Sequence, residues 1–231
     1  MNAALVSVQN VRKTFSTGEL EVHALQGIDF ELFEGDFAAL VGPSGSGKST
    51  LLNLIGGLDT PTSGRLSVLG RDVGLLSREE RSELRLRSLG FVFQAYNLVP
   101  VLTVQENVEF ILELQGVRPS ERHARTGQVL ETLGLADLAR RFPSELSGGQ
   151  QQRVAVARAV ASQPRLVLAD EPTANLDHAN AETLLNLMSR LHDESGMTFL
   201  FSTHDPRVMK HASRLITLTD GRIDGTGNAA S

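Results

Sequence analysis

The chain has 231 residues, of which 41% are hydrophobic and 21% charged, as in an ordinary globular protein with one large or two small domains. It contains no cysteine, which excludes a disulfide framework and a thiolate zinc site, and its net charge of −5 argues against nucleic acid as a partner. No apolar run nears the roughly 20 residues that span a bilayer, and Met1-Asn2-Ala3-Ala4 lacks the charged region and apolar core of a signal peptide.

Residues 5–11 read as a strand, and residues 22–33 alternate between apolar and polar. Glu34-Gly35-Asp36 then supplies a turn, so about the first 36 residues predict a small antiparallel β layer. Phe15 falls in the opening loop of that layer, where its ring either stacks on a purine base or packs under the hairpin. The apolar run Phe37-Ala38-Ala39-Leu40-Val41 is a buried strand. Gly42, Pro43, Ser44, Gly45, Ser46, Gly47, Lys48, Ser49 and Thr50 follow it, and Leu51, Leu52, Leu54 and Ile55 then keep helical spacing. Glycine, four residues, then Gly-Lys-Ser, set between a strand and a helix, is a phosphate-binding loop. Its glycines let backbone N–H groups converge, and the helix start adds a positive dipole end. Lys48 can reach terminal phosphates, and the Ser49 hydroxyl can ligate magnesium.

Turn residues fill 59–64, and residues 65–69 form a short strand. Ser77-Arg78-Glu79-Glu80 is a capping box opening a helix to about residue 89. Gly90-Phe91-Val92-Phe93 is a strand ending at Gln94. Thr103-Val104-Gln105-Glu106 is a second capping box, followed by the apolar stripe Val104, Val108, Ile111 and Leu112. Further helices are expected at about 120–133, about 136–140 and 151–161, so residues of about 95–162 form an inserted helical subdomain. Residues 166–169 are an apolar strand capped by Asp170 and Glu171, and a helix follows over about 178–194. Strands at 198–202 and 215–218 close the fold, and the small, polar segment 225–231 is expected to fray. Strands alternating with helices predict a mainly parallel sheet, with the core formed by about 37–94 and 163–231.

Asp170 stands at the C-terminal end of a buried strand, where a phosphate-loop enzyme keeps its magnesium carboxylate. Alone, Asp170-Glu171 is an ordinary helix cap; beside the phosphate loop, Glu171 is positioned to orient or deprotonate water. His204 and Gln94 end other strands, His204 suited to a γ-phosphate and Gln94 to magnesium or the water. The other five histidines, His23, His123, His178, His192 and His211, read as structural. Leu146-Ser147-Gly148-Gly149-Gln150 weakens a helix start with two glycines. It offers bare N–H groups in return, with Ser147 as hydroxyl donor or N-cap, and so forms a second anion site. One nucleotide does not need two such sites, so this one serves a nucleotide held by another copy.

The phosphate loop, Gln94, the segment 146–150, Leu-Val-Leu-Ala-Asp-Glu at 166–171, Asn175-Leu176-Asp177 and His204 stand in the order of the ABC transporter ATPases. Nearly the whole chain resembles that family. The segments 52–59, 90–94 and 97–100 look like its lipoprotein-releasing and macrolide-exporter branch. The resemblance implies a phosphate-loop NTPase fold with an antiparallel β-subdomain and an α-helical subdomain. It implies a head-to-tail dimer sandwiching ATP and Mg2+ between residues 42–50 of one copy and Ser147, Gly148, Gly149 and Gln150 of the other. Glu171 would be the general base, His204 the γ-phosphate contact, Phe15 the adenine stack and Asp177 a contact across the dimer. Ala174 replaces a glycine common in close relatives. Residues 95–102 would help form the groove for a membrane permease at the cytoplasmic face of the inner membrane. The same engine can instead drive a non-transport membrane machine, for mechanotransmission or cell-wall enzyme regulation. A soluble relative acting on DNA or ribosomes would carry a long coiled coil or a second ATPase half, and this chain has neither. A nucleotide-binding scaffold without turnover would not need Glu171 and His204.

Overall fold

The computed structural model of the chain describes residues 3–18 and 20–228. It forms two compact units, one made of Met1–Arg85 and Thr198–Ser231, the other of Leu86–Met197.

In the first unit β1 (Val6–Thr17) and β2 (Leu20–Leu32) pair antiparallel along their length, from Val6 opposite Leu32 to Thr17 opposite Leu20. Bulges interrupt the register near Val8–Val11 and Lys13–Thr14, which lets one strand bend without ending. Phe15 therefore lies within β1 and not in a loop. The antiparallel layer is also wider than its first hairpin. β4 (Ser63–Val68) pairs with β1 and β5 (Arg71–Asp72) with β4, in the order β2-β1-β4-β5.

The other sheet of this unit is built on β3 (Phe37–Val41), whose five residues are all buried. β8 (Thr198–Thr203) and β9 (Arg214–Thr219) flank it in parallel. Burial on both faces explains the unbroken apolar run. Phe37 packs against Phe199 and Phe201 with ring centroids 5.3 and 4.8 Å away. α1 (Lys48–Ile55) leaves the end of β3 and buries Leu51, Leu52, Leu54 and Ile55. α2 (Arg78–Ser88) opens on the expected box: the Glu80 amide donates to Ser77 Oγ at 3.1 Å, and the Ser77 amide to Glu80 Oε2 at 2.8 Å. Besides β5, two elements were not legible in the sequence. α7 (Pro206–His211) is one turn and a half, capped by Asp205. β10 (Arg222–Asn228) pairs antiparallel with β9, so residues 225–228 are strand where fraying was expected, and residues 229–231 lie outside the described residues.

In the second unit β6 (Leu89–Val92) and β7 (Leu166–Asp170) are parallel, and β6 ends two residues before Gln94. Between them run α3 (Val104–Leu114), α4 (Pro119–Thr132) and α5 (Gly148–Val160), with short 3-10 turns at Ala136–Leu138 and Pro143–Glu145. Thr103 and Glu106 form the second capping box, and Val104, Val108 and Leu112 are buried beneath α3. A Cβ on Gly90 would come 2.6 Å from the Ala159 carbonyl oxygen, which shows how closely β6 meets α5. α6 (His178–Ser195) ends at Gly196, left-handed at φ 68°. Among the described residues no helix is long and apolar enough to cross a membrane.

Candidate functional site

The first unit carries the phosphate loop. Its shape follows from which residues have no side chain. A Cβ on Gly42 would sit 2.0 Å from the Leu218 carbonyl oxygen, and one on Gly47 would sit 2.6 Å from that of Ala24. Gly47 also takes φ 105°, open only to glycine. The loop is tied back by the Ser46 amide to the Pro43 carbonyl (3.3 Å) and by the Gly221 amide to the Ser46 carbonyl (3.0 Å). Lys48 is buried and donates to the carbonyls of Gly42 (2.8 Å) and Pro43 (2.9 Å), so its ammonium is held over the loop. Pro43, Ser44, Gly45 and Ser49 are exposed, and Gly47 gives α1 no side-chain cap.

Phe15 is 43% exposed, which rules out packing under the hairpin. The Lys13 ammonium lies over its ring, 5.0 Å from the centroid. That ammonium also donates to Asp59 Oδ1 (2.7 Å) and the Thr60 carbonyl (2.9 Å). Burial pushes the Asp59 carboxyl up, but hydrogen bonds from Lys13 and the Thr60 amide, with the charges of Lys13 and Arg81, hold it below its ordinary value. His204 is exposed just past β8, where Asp205 caps α7 and forks onto Arg207 (2.7 Å).

The second unit carries the remaining candidates. Ser147 is the N-cap of α5: the Gln150 amide donates to its Oγ (3.3 Å), and its own amide donates to Gln150 Oε1 (2.8 Å). α5 therefore begins at Gly148, three residues before the sequence reading put it. The reciprocal cap offsets the glycine cost. A side chain on Gly149 would have to displace that of Asn180, since its Cβ would fall 2.6 Å from Asn180 Oδ1. Asn180 also braces Asp177, the N-cap of α6: its amide reaches Oδ1 and its Nδ2 reaches Oδ2, each at 2.8 Å.

Asp170 ends β7, and Glu171 follows at φ 47°, a left-handed backbone that costs a glutamate about 1 kcal/mol or more. Next to it, the fully buried Gln152 of α5 donates Nε2 to the Pro172 carbonyl at 2.8 Å. Gln94 is exposed, and its carbonyl accepts from Asn175 Nδ2 at 2.9 Å. The sequence reading missed Gln152 and Asn180. A polar residue in phase with Val156 and Ala159 on the buried side of α5 was the available signal for Gln152; Asn180 gave none.

The phosphate loop fits a nucleotide's phosphate chain. Besides Lys48 and the open start of α1, it holds Ser46 Oγ buried without a hydrogen-bond partner. The proposed metal donors fit magnesium in type: a hydroxyl of Ser49, an amide of Gln94 and a carboxylate of Asp170 are hard oxygen ligands. Among the described residues there is no cluster of three or more His, Cys, Asp or Glu side chains able to hold a metal ion. A magnesium ion held chiefly by phosphates and water does not need one.

A family model described as ABC transporter matches residues 25–174. An uncharacterized ABC transporter ATP-binding protein of Thermotoga maritima is 45% identical over 96% of this chain and 94% of that protein. The macrolide export ATP-binding/permease protein MacB of Marinobacter nauticus is 46% identical over 96% of this chain, which spans 35% of that protein's length. The dimeric ATP-binding cassette MJ0796, in a post-hydrolysis state bound to ADP and Pi, is similar with a TM-score of 0.90 at 40% identity, covering 98% of this chain and 99% of that one. With the fold matched end to end and the phosphate loop built as its glycines require, the chain belongs to the ABC transporter family, as an ATP-binding and ATP-hydrolysing domain of its transporters.

Proposed function

We propose that this chain hydrolyses ATP to drive a membrane permease at the cytoplasmic face of the inner membrane, for lipoprotein, lipid or drug-like cargo. What carries the reading is the phosphate loop, which holds a buried Lys48, a buried Ser46 hydroxyl without a hydrogen-bond partner and an uncapped helix start. Residues 42–50 hold the triphosphate, and the exposed Phe15 ring stacks on adenine. Ser49, Gln94 and Asp170 hold Mg2+, which supplies charge neutralisation on the phosphates when bound. Glu171 takes the proton from the attacking water, and His204 hydrogen-bonds the γ-phosphate. Ser147, Gly148, Gly149 and Gln150 complete the site of a second, head-to-tail copy, and Asp177 faces that copy. Residues of about 95–162 form the helical subdomain that meets the permease. The MacB relatives carry ATP-binding and permease parts in one chain, which supports an exporter-like partner here.

The test is steady phosphate release with ATP and Mg2+, alone and with the membrane protein that co-purifies. Glu171→Gln should retain ATP and trap a dimer while turnover nearly vanishes; unchanged turnover removes Glu171 from the role of base. Lys48→Ala loses a charge-assisted contact worth about 1.5–3 kcal/mol. ATP affinity should therefore fall by roughly 10- to 100-fold in a binding titration.

A further inference from the structure

The segment that follows Gln94 is held in an unusual way. Tyr96 and Asn97 stand at φ 57° and 51°, two consecutive left-handed residues without a glycine. Such backbone persists only where its surroundings impose it. One guanidinium does so: Arg158 Nη1 donates to the Asn97 carbonyl at 2.6 Å, and Nη2 to the Tyr96 carbonyl at 3.0 Å. Arg158 lies in the last turn of α5, where desolvation pulls its pKa below the usual arginine value. Among the described residues it forms no ion pair, so backbone carbonyls alone answer its charge.

The Tyr96 side chain reaches the opposite end of the same helix. Its phenol oxygen lies 3.0 Å from where a Cβ on Gly148 would be. Ten residues of helix, about 15 Å, separate Gly148 from Arg158. Tyr96 thus touches α5 at its first turn through the ring and near its last through the carbonyl. Asn175 fixes the other side of the segment through the Gln94 carbonyl.

We infer that Tyr96 and Arg158 are positioning residues that couple the N-terminus of α5 to Gln94 in the same chain. The inference rests on the proposed reading of residues 147–150 as the half-site for a neighbour's nucleotide. A phosphate drawn against the first turn of α5 presses on, or draws away from, the Tyr96 ring. Arg158 converts that displacement into a shift of the main chain at 96–97, two residues from Gln94. The neighbour's occupancy is then felt at this chain's own magnesium-side glutamine, which makes the two sites of a dimer interdependent.

The chain supplies its own reporter, since Tyr96 is its only tyrosine and it has no tryptophan. The experiment uses the full chain carrying Glu171→Gln, with iodide quenching of tyrosine emission read before and after ATP and Mg2+, and again with ADP. Dimer formation is followed in parallel by size-exclusion chromatography and nucleotide retention by filtration. The expected result is a loss of iodide quenching with ATP but not with ADP, abolished by adding Arg158→Met and partly restored by Arg158→Lys. Tyr96→Phe serves as the dark control.

In the otherwise native chain, Tyr96→Phe should keep the KM for ATP, lower kcat and remove cooperativity in ATP. It does so by deleting one oxygen, and it keeps the question answerable if Arg158→Met fails to fold. Emission indifferent to ATP in a chain that retains nucleotide and dimerises overturns the inference and leaves the proposed function standing. An equal response to ADP without a dimer overturns it as well, since the signal would then come from the chain's own site. Failure to retain ATP or dimerise overturns the proposed function and the inference together.

Discussion

Lys48 and Gly47 are adjacent, and each is constrained by what surrounds the other. The lysine can be buried because its Nζ donates to two carbonyls, at 2.8 and 2.9 Å. The glycine permits the backbone to pass under the Ala24 carbonyl at φ 105°. Gly47→Ala would meet both the left-handed penalty and a 2.6 Å contact with backbone, which has no flexible end to give way. It should cost roughly 2 kcal/mol or more, seen as a lower urea midpoint, and should weaken ATP binding in the same protein. Gly45→Ala is the control. Its Cβ would meet nothing within 4 Å, so the penalty there is that of its φ of 80° alone. The loop was legible in the sequence because steric rules of this kind leave only a glycine pattern able to form it. The partners of Gln152 and Asn180 were not legible, because a buried amide and a helix-surface amide acquire them only through tertiary contact.

At the scale of elements, caps decided most helix starts. Thr103 receives the Glu106 amide, while Glu106 Oε2 accepts from the Thr103 amide and hydroxyl, each at 2.8 Å. Thr103→Ala should therefore cost about 1 kcal/mol, read as a lower thermal midpoint, and Thr103→Ser should recover most of it. Both capping boxes and the buried strands β3, β7 and β8 could be read directly, since caps and apolar runs are local signals. Where the reading failed, the deciding contact was distant in sequence. β10 contains Gly225 and Gly227 and has little strand propensity of its own, yet the edge of β9 recruits it. β1 continues through Phe15 because bulges absorb its change of register. α5 includes Gly148 and Gly149 because Ser147 and Gln150 cap each other and Asn180 fills the space beside Gly149.

The molecule as a whole distributes its candidate site residues over two compact units. Phe15, residues 42–50 and His204 belong to one, and Gln94, residues 147–150, Asp170, Glu171 and Asp177 to the other. Each of these candidates was named from sequence because its motif is specified by its own loop and cap. Glu171 is held at φ 47°, where asparagine or glycine would be at ease, as Leu69 and Gln163 are held at φ 53° and 52°. Backbone strain at the residue proposed as the base motivates a test of stability against turnover. Glu171→Asn should relieve about 1 kcal/mol of strain and raise the melting midpoint by about 2–4 °C while ending turnover. Calorimetry beside a phosphate-release assay would test this. On the proposed role of Glu171, the most heat-resistant version of this protein is an inert one, since durability and turnover draw on the same backbone angle.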